Sequence, residues 1–266
     1  MSLKILYQIP SLESVYAARP IYEGYRHAFE DLGHKFRPYT SSGNLGRVLD
    51  ELRPDIFISW LNRYNLKFLD LTLLEKYRKK GLVFFNLIKP WKKQDTRFDG
   101  SNLQADAFLV NLINKGLAGD IFFRWISEDD PAMEGFTEAT GYPFHTILLA
   151  ADTNRYYYDY DSRYKADISF VGSFLPCKRD FIKKHLFPLM KRHDLKIYGS
   201  DWTLDSRLLG YVQKVGQYFN IEPLKHVRKM PLSLEDERKV YSSSTISLNI
   251  HEDFARKFGS AFNGQA

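Results

Sequence analysis

The chain of 266 residues has few of the residues that mark secreted, membrane-spanning or metal-binding proteins. Its single cysteine, Cys177, excludes an internal disulfide framework and any metal site built from several thiolates. No apolar run reaches the roughly 18 residues that a membrane-spanning helix needs. No spacing of histidine, aspartate and glutamate predicts a metal centre. We therefore expect a cytoplasmic protein with no transmembrane segment, no resident metal and no cofactor of its own.

What the chain does have is a large apolar fraction and an uneven distribution of charge. Hydrophobic residues make up 44% of the sequence, which is ample for a packed core. Residues 1–150 hold 19 Lys+Arg and 18 Asp+Glu, net +1, whereas residues 151–266 hold 19 and 14, net +5. A basic half favours an anionic partner, namely a nucleotide, an anionic membrane surface or a nucleic acid. The alternative is a solvated basic face that only aids solubility.

Nucleic acid is the weakest of these three partners. The lysines and arginines are spread over several predicted helices and are not interleaved with aromatic residues on one strand. We therefore expect no nucleic-acid partner.

The first half alternates short apolar runs with amphipathic segments. Continuous apolar strands separated by such helices predict a parallel sheet that is covered on both faces. The predicted helices cover residues 20–32, 45–52 and 66–80. The predicted strands are Lys4–Ile9, Lys35–Tyr39, Ile56–Trp60, Leu82–Ile88, Ala107–Ile113, Ile121–Ile126 and Phe144–Ala150.

The same alternation restarts after residues 154–165, a segment rich in tyrosine and charge that is either an interdomain linker or a surface loop. Strands are predicted at 168–171, 195–198 and 245–250, and helices at 178–193, 204–212 and 232–241. Pro188 should kink the first of these helices, and Ser233 is the candidate N-cap of the last, with Asp236 three residues on. The pattern predicts an α/β protein with one doubly wound domain over 1–153 and another over 166–266. Such domains usually hold about five or six strands, so the second is expected to be incomplete, as if truncated at Ala266.

The stretch from Ala166 to Trp202 carries the strongest functional signal. A buried strand ends at Gly172 and Ser173, and Arg179 stands just inside the following predicted helix. Glycine lets the backbone approach a ligand closely, and a cation beside the turn favours a phosphate. The residues match neither a P-loop nor a dinucleotide fingerprint, so an ordinary strand–helix turn remains open.

Other candidate residues follow predicted strands, where an open α/β sheet lines its ligand crevice. Tyr198 and Gly199 end the next strand, and either line a ligand pocket or form a simple turn. Asn249 and His251 come at the end of the last strand, where the histidine either does acid–base work or binds a diphosphate, or the residues form a local hydrogen-bonded cluster. In the first half, Ser11 and Glu13 follow the first strand and are candidates for contact with a second substrate.

Three blocks of sequence resemble a known family. The run ISFVGSFLPCKRDFIKKHLFPLMKRHDLKIYGSDW is similar to the opening of the C-terminal domain of GT-B glycosyltransferases, in particular the bacterial group with the CgeB-like spore-maturation proteins. The runs SSSTISLNIHEDF and PFHTILLAADTNRYY resemble that family's later strand and its pre-linker strand. The resemblance covers roughly residues 143–260, while the first half matches mainly in pattern.

The resemblance implies two Rossmann-like domains and a metal-independent sugar transfer. The N-terminal domain would bind a saccharide, protein or lipid-linked acceptor, and the C-terminal domain a nucleotide-sugar donor, most simply of the UDP type. No catalytic residue is identified, and a weak association with a membrane surface is compatible with this reading. The residues implied on the donor side are Gly172, Ser173 and Arg179 for the diphosphate, Tyr198 and Gly199 for the nucleotide pocket, and Asn249 and His251 for the sugar or phosphate; Ser11 and Glu13 are implied on the acceptor side.

The chain departs from the family at its end. Members continue after the LNIH loop into a helix whose glutamate grips the donor ribose, whereas here the sequence reads NGQA and stops. The alternative function is therefore a non-catalytic Rossmann-like binding or regulatory module that has lost the donor helix.

Overall fold

The computed structural model describes residues 2–12, 18–93, 102–225, 227 and 232–250. These residues divide into two compact units, and the division falls between Ala150 and Ala151. Each unit is an α/β structure built on its own parallel sheet.

The first unit contains six parallel strands in the order β2-β1-β3-β4-β5-β6. The chain starts at β1, one strand from an edge, adds β2 at that edge and then crosses to build the other side. This is the order that produces a doubly wound sheet. The strands are β1 (Lys4–Gln8), β2 (Lys35–Tyr39), β3 (Ile56–Trp60), β4 (Val83–Leu87), β5 (Ile121–Arg124) and β6 (Phe144–Thr146).

Helices connect these strands and cover both faces of the sheet. Successive side chains of β1 show this, because Leu6 packs in one apolar cluster with Leu49 and Leu74, and Ile5 packs in another with Ile58. A sheet buried on both faces explains why its strands read as continuous apolar runs. The helices are α1 (Ala18–Asp31), α2 (Leu45–Leu52), α3 (Arg63–Leu66), α4 (Leu71–Arg78), α5 (Ala107–Asn114) and α6 (Phe136–Thr140).

Helix α5 corrects the strand predicted over Ala107–Ile113. The Asp106 carboxylate accepts a hydrogen bond from the Leu109 backbone N–H and so caps the helix. Leu109 and Ile113, four residues apart, are the buried positions. A short apolar run fits a buried strand and a buried helix equally well, and the capping aspartate decides for the helix.

The helix predicted over residues 66–80 is also shorter than expected. Asp70 accepts a hydrogen bond from the Leu73 N–H and starts α4 there, so a turn separates α4 from α3. A capping residue again sets the boundary, while apolar spacing alone joined the two helices.

The second unit contains three described parallel strands in the order β8-β7-β9. These are β7 (Ala166–Val171), β8 (Leu195–Tyr198) and β9 (Ser244–Leu248). The connections include α8 (Leu204–Phe219), α9 (Glu222–Lys225) and α10 (Leu234–Ser243). Ser233 caps α10 by accepting from the Asp236 N–H, which confirms the predicted cap.

The helix predicted over residues 178–193 is broken into short segments. A 3-10 turn (Pro176–Lys178) leads into α7 (Arg179–Phe181), a π turn (Ile182–Leu186) and a second 3-10 turn (Phe187–Lys191). Pro188 lacks an N–H and cannot continue the α-helical hydrogen bonds, so the ladder is irregular around it.

The tyrosine-rich segment 154–165 packs on α10. The backbone N–H groups of Asp159 and Asp161 donate to the hydroxyls of Ser242 and Ser243. Arg238 of α10 pairs with Asp159 at 2.7 Å, and its guanidinium also lies 4.0 Å from the centre of the Tyr157 ring. These contacts make the segment part of the second unit.

Across the described ranges, no helix combines the length and the apolar character needed to cross a membrane.

Candidate functional site

The carboxyl edge of the second sheet brings several predicted residues together. The chain leaves the central strand β7 toward β8 on one side and reaches β9 on the other. In an open α/β sheet, this switch of direction leaves a crevice beyond the carboxyl ends of the strands. Gly172 follows β7, Gly199 follows β8, and Asn249 follows β9. These three residues therefore end neighbouring strands on the same edge.

The turns after β7 and β8 are in direct contact. The Gly172 N–H donates to the Tyr198 carbonyl at 2.8 Å, and the Phe174 N–H donates to the Ser200 carbonyl at 2.9 Å. A Cβ atom on Gly199 would lie 2.0 Å from the Gly172 carbonyl oxygen, and the φ of Gly199 is +141°. Only glycine fits this position, so the glycine that ends β8 is a requirement of the fold.

This geometry also limits how Gly172 can serve a ligand. Its N–H and its carbonyl are both used within the protein, the latter by the Trp202 indole at 2.9 Å. Gly172 therefore positions the turn, and groups that face a ligand have to come from its neighbours.

Two serine hydroxyls meet where the turns touch. The Oγ atoms of Ser173 and Ser200 are 2.5 Å apart, and the Ser200 hydroxyl also lies 3.4 Å from an Asp201 carboxylate oxygen. Sequence reasoning did not select Ser200 or Asp201 as site residues. The available signal was the repeated Gly-Ser pair, which ends both β7 and β8. The pair of hydroxyls can offer both hydrogen-bond donors and acceptors to a bound group.

A cluster of aromatic rings packs against these turns. The Trp202 ring stacks on Phe174 with ring centroids 4.8 Å apart, and the Phe187 ring also stacks on Phe174, with centroids 6.2 Å apart. Since Trp202 also donates its indole N–H to Gly172, the ring cluster fixes both the shape and the position of the turn. Sequence reasoning had assigned no role to Trp202.

Arg179 brings a positive charge to this turn. Its Nε donates to the Phe174 carbonyl at 3.3 Å, and its guanidinium lies 5.3 Å from the Phe174 ring centre. Within the described ranges it has no carboxylate partner, whereas Arg163 and Arg238 of the same unit both pair with aspartates. The guanidinium is therefore held beside the turn with donor capacity left for an anion.

Tyr198 and Asn249 occupy different settings on this edge. The partly buried Tyr198 ring packs edge-on against Tyr164, and burial raises the pKa of its phenol above the usual 10.0. Its contact with the turns is through its backbone carbonyl. Asn249 is exposed and directly follows Leu248, the register partner of Phe170 in β7. His251 lies outside the described residues.

The first sheet also has polar groups at its carboxyl edge. The buried Gln8 side chain accepts from the Ser59 hydroxyl at 2.5 Å and donates to the Asn65 carbonyl at 3.0 Å. Ser11 is partly buried two residues beyond Ile9, next to Pro10, whose carbonyl accepts from Ser41. Glu13 lies outside the described residues. The Gln8 network was missed from sequence because single polar residues inside apolar strands gave no motif.

Among the residues that the structure describes, no group of three or more histidine, cysteine, aspartate or glutamate side chains is placed to hold a metal ion.

No family model and no curated protein matches the chain. Solved structures do match it. One is the catalytic domain of starch synthase IV from Arabidopsis thaliana bound to ADP and acarbose, with a TM-score of 0.51 and 9% identity over 98% of this chain and 77% of that chain.

Two further matches are structures of an alpha-glucosyltransferase. One holds UDP and a 13-mer DNA containing an HMU base, with a TM-score of 0.55 and 14% identity over 98% of this chain and 78% of that chain. The other holds UDP-glucose and DNA containing an abasic site, with a TM-score of 0.55 and 15% identity over the same shares.

The chain has the GT-B fold. The two parallel sheets confirm the predicted α/β class with Rossmann-like units. At 9–15% identity the likeness establishes this fold, and function has to be argued from the site itself.

Proposed function

We propose that this protein is a glycosyltransferase that moves a sugar from a nucleotide-sugar donor to an acceptor, with the donor held by the second unit. One observation carries the proposal. At the carboxyl edge of the second sheet, two abutting Gly-Ser turns bring two hydroxyls together, and Arg179, a cation with no carboxylate partner in the described part of the chain, bonds the carbonyl of Phe174, the residue after Ser173. This is the edge where α/β sheets bind nucleotides.

The donor diphosphate is the group that this chemistry fits. Arg179 offsets the negative charge that develops on the leaving nucleoside diphosphate, and the Ser173 hydroxyl donates to a phosphate oxygen. Gly172 and Gly199 act through the backbone, since they set the separation of the two turns. The net +5 charge of residues 151–266 supports the attraction of an anionic donor.

The remaining donor-side assignments come from the family resemblance. Tyr198 lines the nucleotide pocket, and Asn249 and His251 approach the sugar or a phosphate. The solved structures of this fold support a nucleotide ligand, since they contain ADP, UDP or UDP-glucose. UDP is the nucleotide we propose first, and ADP is the second.

The first unit would bind the acceptor, which is a saccharide, a protein or a lipid-linked group. Ser11 follows β1 at the carboxyl edge of the first sheet, and Glu13 is two residues further along the sequence. The hydrogen bonds of the buried Gln8 with Ser59 and Asn65 hold polar side chains in place at this edge, which supports a site for a hydroxyl-bearing acceptor there.

A turnover assay tests the proposal. The intact chain is incubated with UDP-glucose or ADP-glucose, and the release of nucleoside diphosphate is measured with and without EDTA. Since no acceptor is added, water takes its place: we expect slow hydrolysis of UDP-glucose to UDP and glucose, and EDTA should not change its rate because the proposed transfer uses no metal. Tight binding of the nucleotide sugar with no release of diphosphate would favour the non-catalytic binding module. If the chain neither binds the nucleotide sugar nor releases the diphosphate, donor recognition is refuted.

A further inference from the structure

Helix α8 has an inner face that is already occupied. Its buried residues are Gly210, Gln213 and Gly216. A Cβ atom on Gly216 would lie 2.5 Å from the Cβ of Leu224, so α9 packs directly against the α8 backbone. The small residues of α8 therefore face its own unit, and its large apolar residues point elsewhere.

The outer side of α8 is an exposed apolar stripe, here called the α8 apolar face. Its members recur at steps of three or four residues, which places them on one side of a helix. Each leaves 49–68% of its surface exposed. Soluble monomers rarely expose so many large apolar side chains together, and such patches mark a site of interaction. The members are Leu204, Leu208, Tyr211, Val215, Tyr218 and Phe219.

Basic residues border this face on one side. Arg207 and Lys214 are seven residues apart, close to two helical turns, and so lie along the same edge of the stripe. The whole second half is net +5. A helix with leucine and aromatic residues on one face and cations beside it is typical of helices that lie in the plane of an anionic membrane surface.

The charge decides between a lipid surface and a second copy of the chain. Two copies joined through α8 would bring two net positive units together, whereas anionic headgroups would attract them. The tyrosine rings, each apolar with a polar hydroxyl, also suit the boundary between headgroups and acyl chains.

We propose that the α8 apolar face seats the second unit on an anionic phospholipid surface. The helix lies parallel to the surface, with its leucine, valine and aromatic side chains among the upper acyl chains and Arg207 and Lys214 at the headgroups. The inference does not depend on the proposed sugar transfer, because membrane binding needs no nucleotide.

Vesicle co-sedimentation of the intact chain, without nucleotide, tests this inference. We expect binding to vesicles of phosphatidylcholine mixed with phosphatidylglycerol, weaker binding to phosphatidylcholine alone, and loss of the difference at high salt. The double variant Leu208→Ser with Phe219→Ser should lower the partition coefficient about tenfold or more. The matched control is Tyr158→Ser, which removes a side chain that is 79% exposed outside α8 and should leave binding unchanged.

A second pair of substitutions separates charge from apolar contact. Arg207→Gln with Lys214→Gln should weaken binding to the anionic vesicles and leave binding to phosphatidylcholine unchanged. Circular dichroism confirms that each variant is folded, and Tyr211→Ser replaces the first double variant if that one does not fold.

Two results would overturn the inference. One is equal vesicle binding by the parent chain and the folded α8 variants, or no binding by either. The other is a dimer in sedimentation equilibrium without lipid that the Leu208→Ser and Phe219→Ser changes dissociate, which would assign the α8 apolar face to a second copy of the chain.

Discussion

Gly199→Ala should destabilise the second unit more than a glycine-to-alanine change does where no atom lies near the added Cβ. The new Cβ would lie 2.0 Å from the Gly172 carbonyl oxygen, and ordinary contact begins at 3.4 Å, so the turns must move apart by about 1.4 Å. That movement disrupts the bond from the Gly172 N–H to the Tyr198 carbonyl. The φ of +141° adds backbone strain of about 1–3 kcal/mol for a residue with a side chain. With about 1 kcal/mol for the hydrogen bond, the expected loss is about 3 kcal/mol.

The matched control for this prediction is Gly81→Ala in the first unit. Gly81 also has a positive φ, +104°, but nothing lies within 4 Å of the Cβ that it would gain. This variant carries the backbone strain without the collision, and it should cost about 1 kcal/mol.

Hydrogen exchange followed by mass spectrometry in increasing urea measures both variants, because it assigns unfolding to peptides of each unit. In Gly199→Ala, peptides spanning β7 and β8 should lose protection at lower urea, while first-unit peptides keep the parent profile. Gly199→Ala is compared directly with its control. If it lowers the free energy of unfolding of the second unit no more than Gly81→Ala lowers that of the first unit, the collision at the turn does not restrict position 199 and the reasoning is wrong.

Two further outcomes follow from the same structure. Trp202→Phe keeps a stacking ring but removes the indole hydrogen bond to Gly172, so the free energy of unfolding of the second unit, measured in urea, should fall by about 1 kcal/mol. The control is Trp60→Phe, which replaces a half-exposed indole in the first unit, and an equal fall for this variant would contradict the prediction. Burial and the nearby Glu237 raise the pKa of Tyr156 from 10.0 to about 12. The folded state thus disfavours the phenolate, and stability present below pH 10 falls as the pH rises toward 12. Tyr156→Phe should reduce that alkaline loss, and superimposable pH profiles of urea midpoints would count against it.

The sequence predicted the parts of the fold that depend on apolar periodicity and on local caps. The run Ile56–Trp60 is a strand as expected, because a sheet covered on both faces needs apolar strands, and Leu195–Tyr198 is also a strand as expected. Ser233 was identified as a cap because its hydroxyl bonds a backbone N–H only three residues away. The strand predicted over Ala107–Ile113 was wrong because the apolar run fits either element, and the Asp106 cap, which decides for the helix, was not taken into account.

The contacts that build the site were harder to predict. Gly172 and Gly199 stood out in the sequence, but they are 27 residues apart in the chain. The short distance from a Cβ on Gly199 to the Gly172 carbonyl oxygen depends on how their two strands pair. The same separation hid the Ser173–Ser200 hydroxyl contact and the indole bond from Trp202. Such contacts follow from strand register and sheet order, which a single sequence does not specify.

Calorimetric titration of the intact chain with UDP and with ADP tests the central claim most directly, because donor recognition by the second unit requires a nucleotide to bind. The proposal predicts binding of at least one of them, and it predicts that Arg179→Gln weakens that binding about tenfold, as expected for the loss of one charge-assisted hydrogen bond. Lys191→Gln, which removes an exposed charge at the end of the second 3-10 turn (Phe187–Lys191), should bind like the parent chain. Absence of binding by the folded parent, or equal weakening by the two variants, would contradict the assignment of the site.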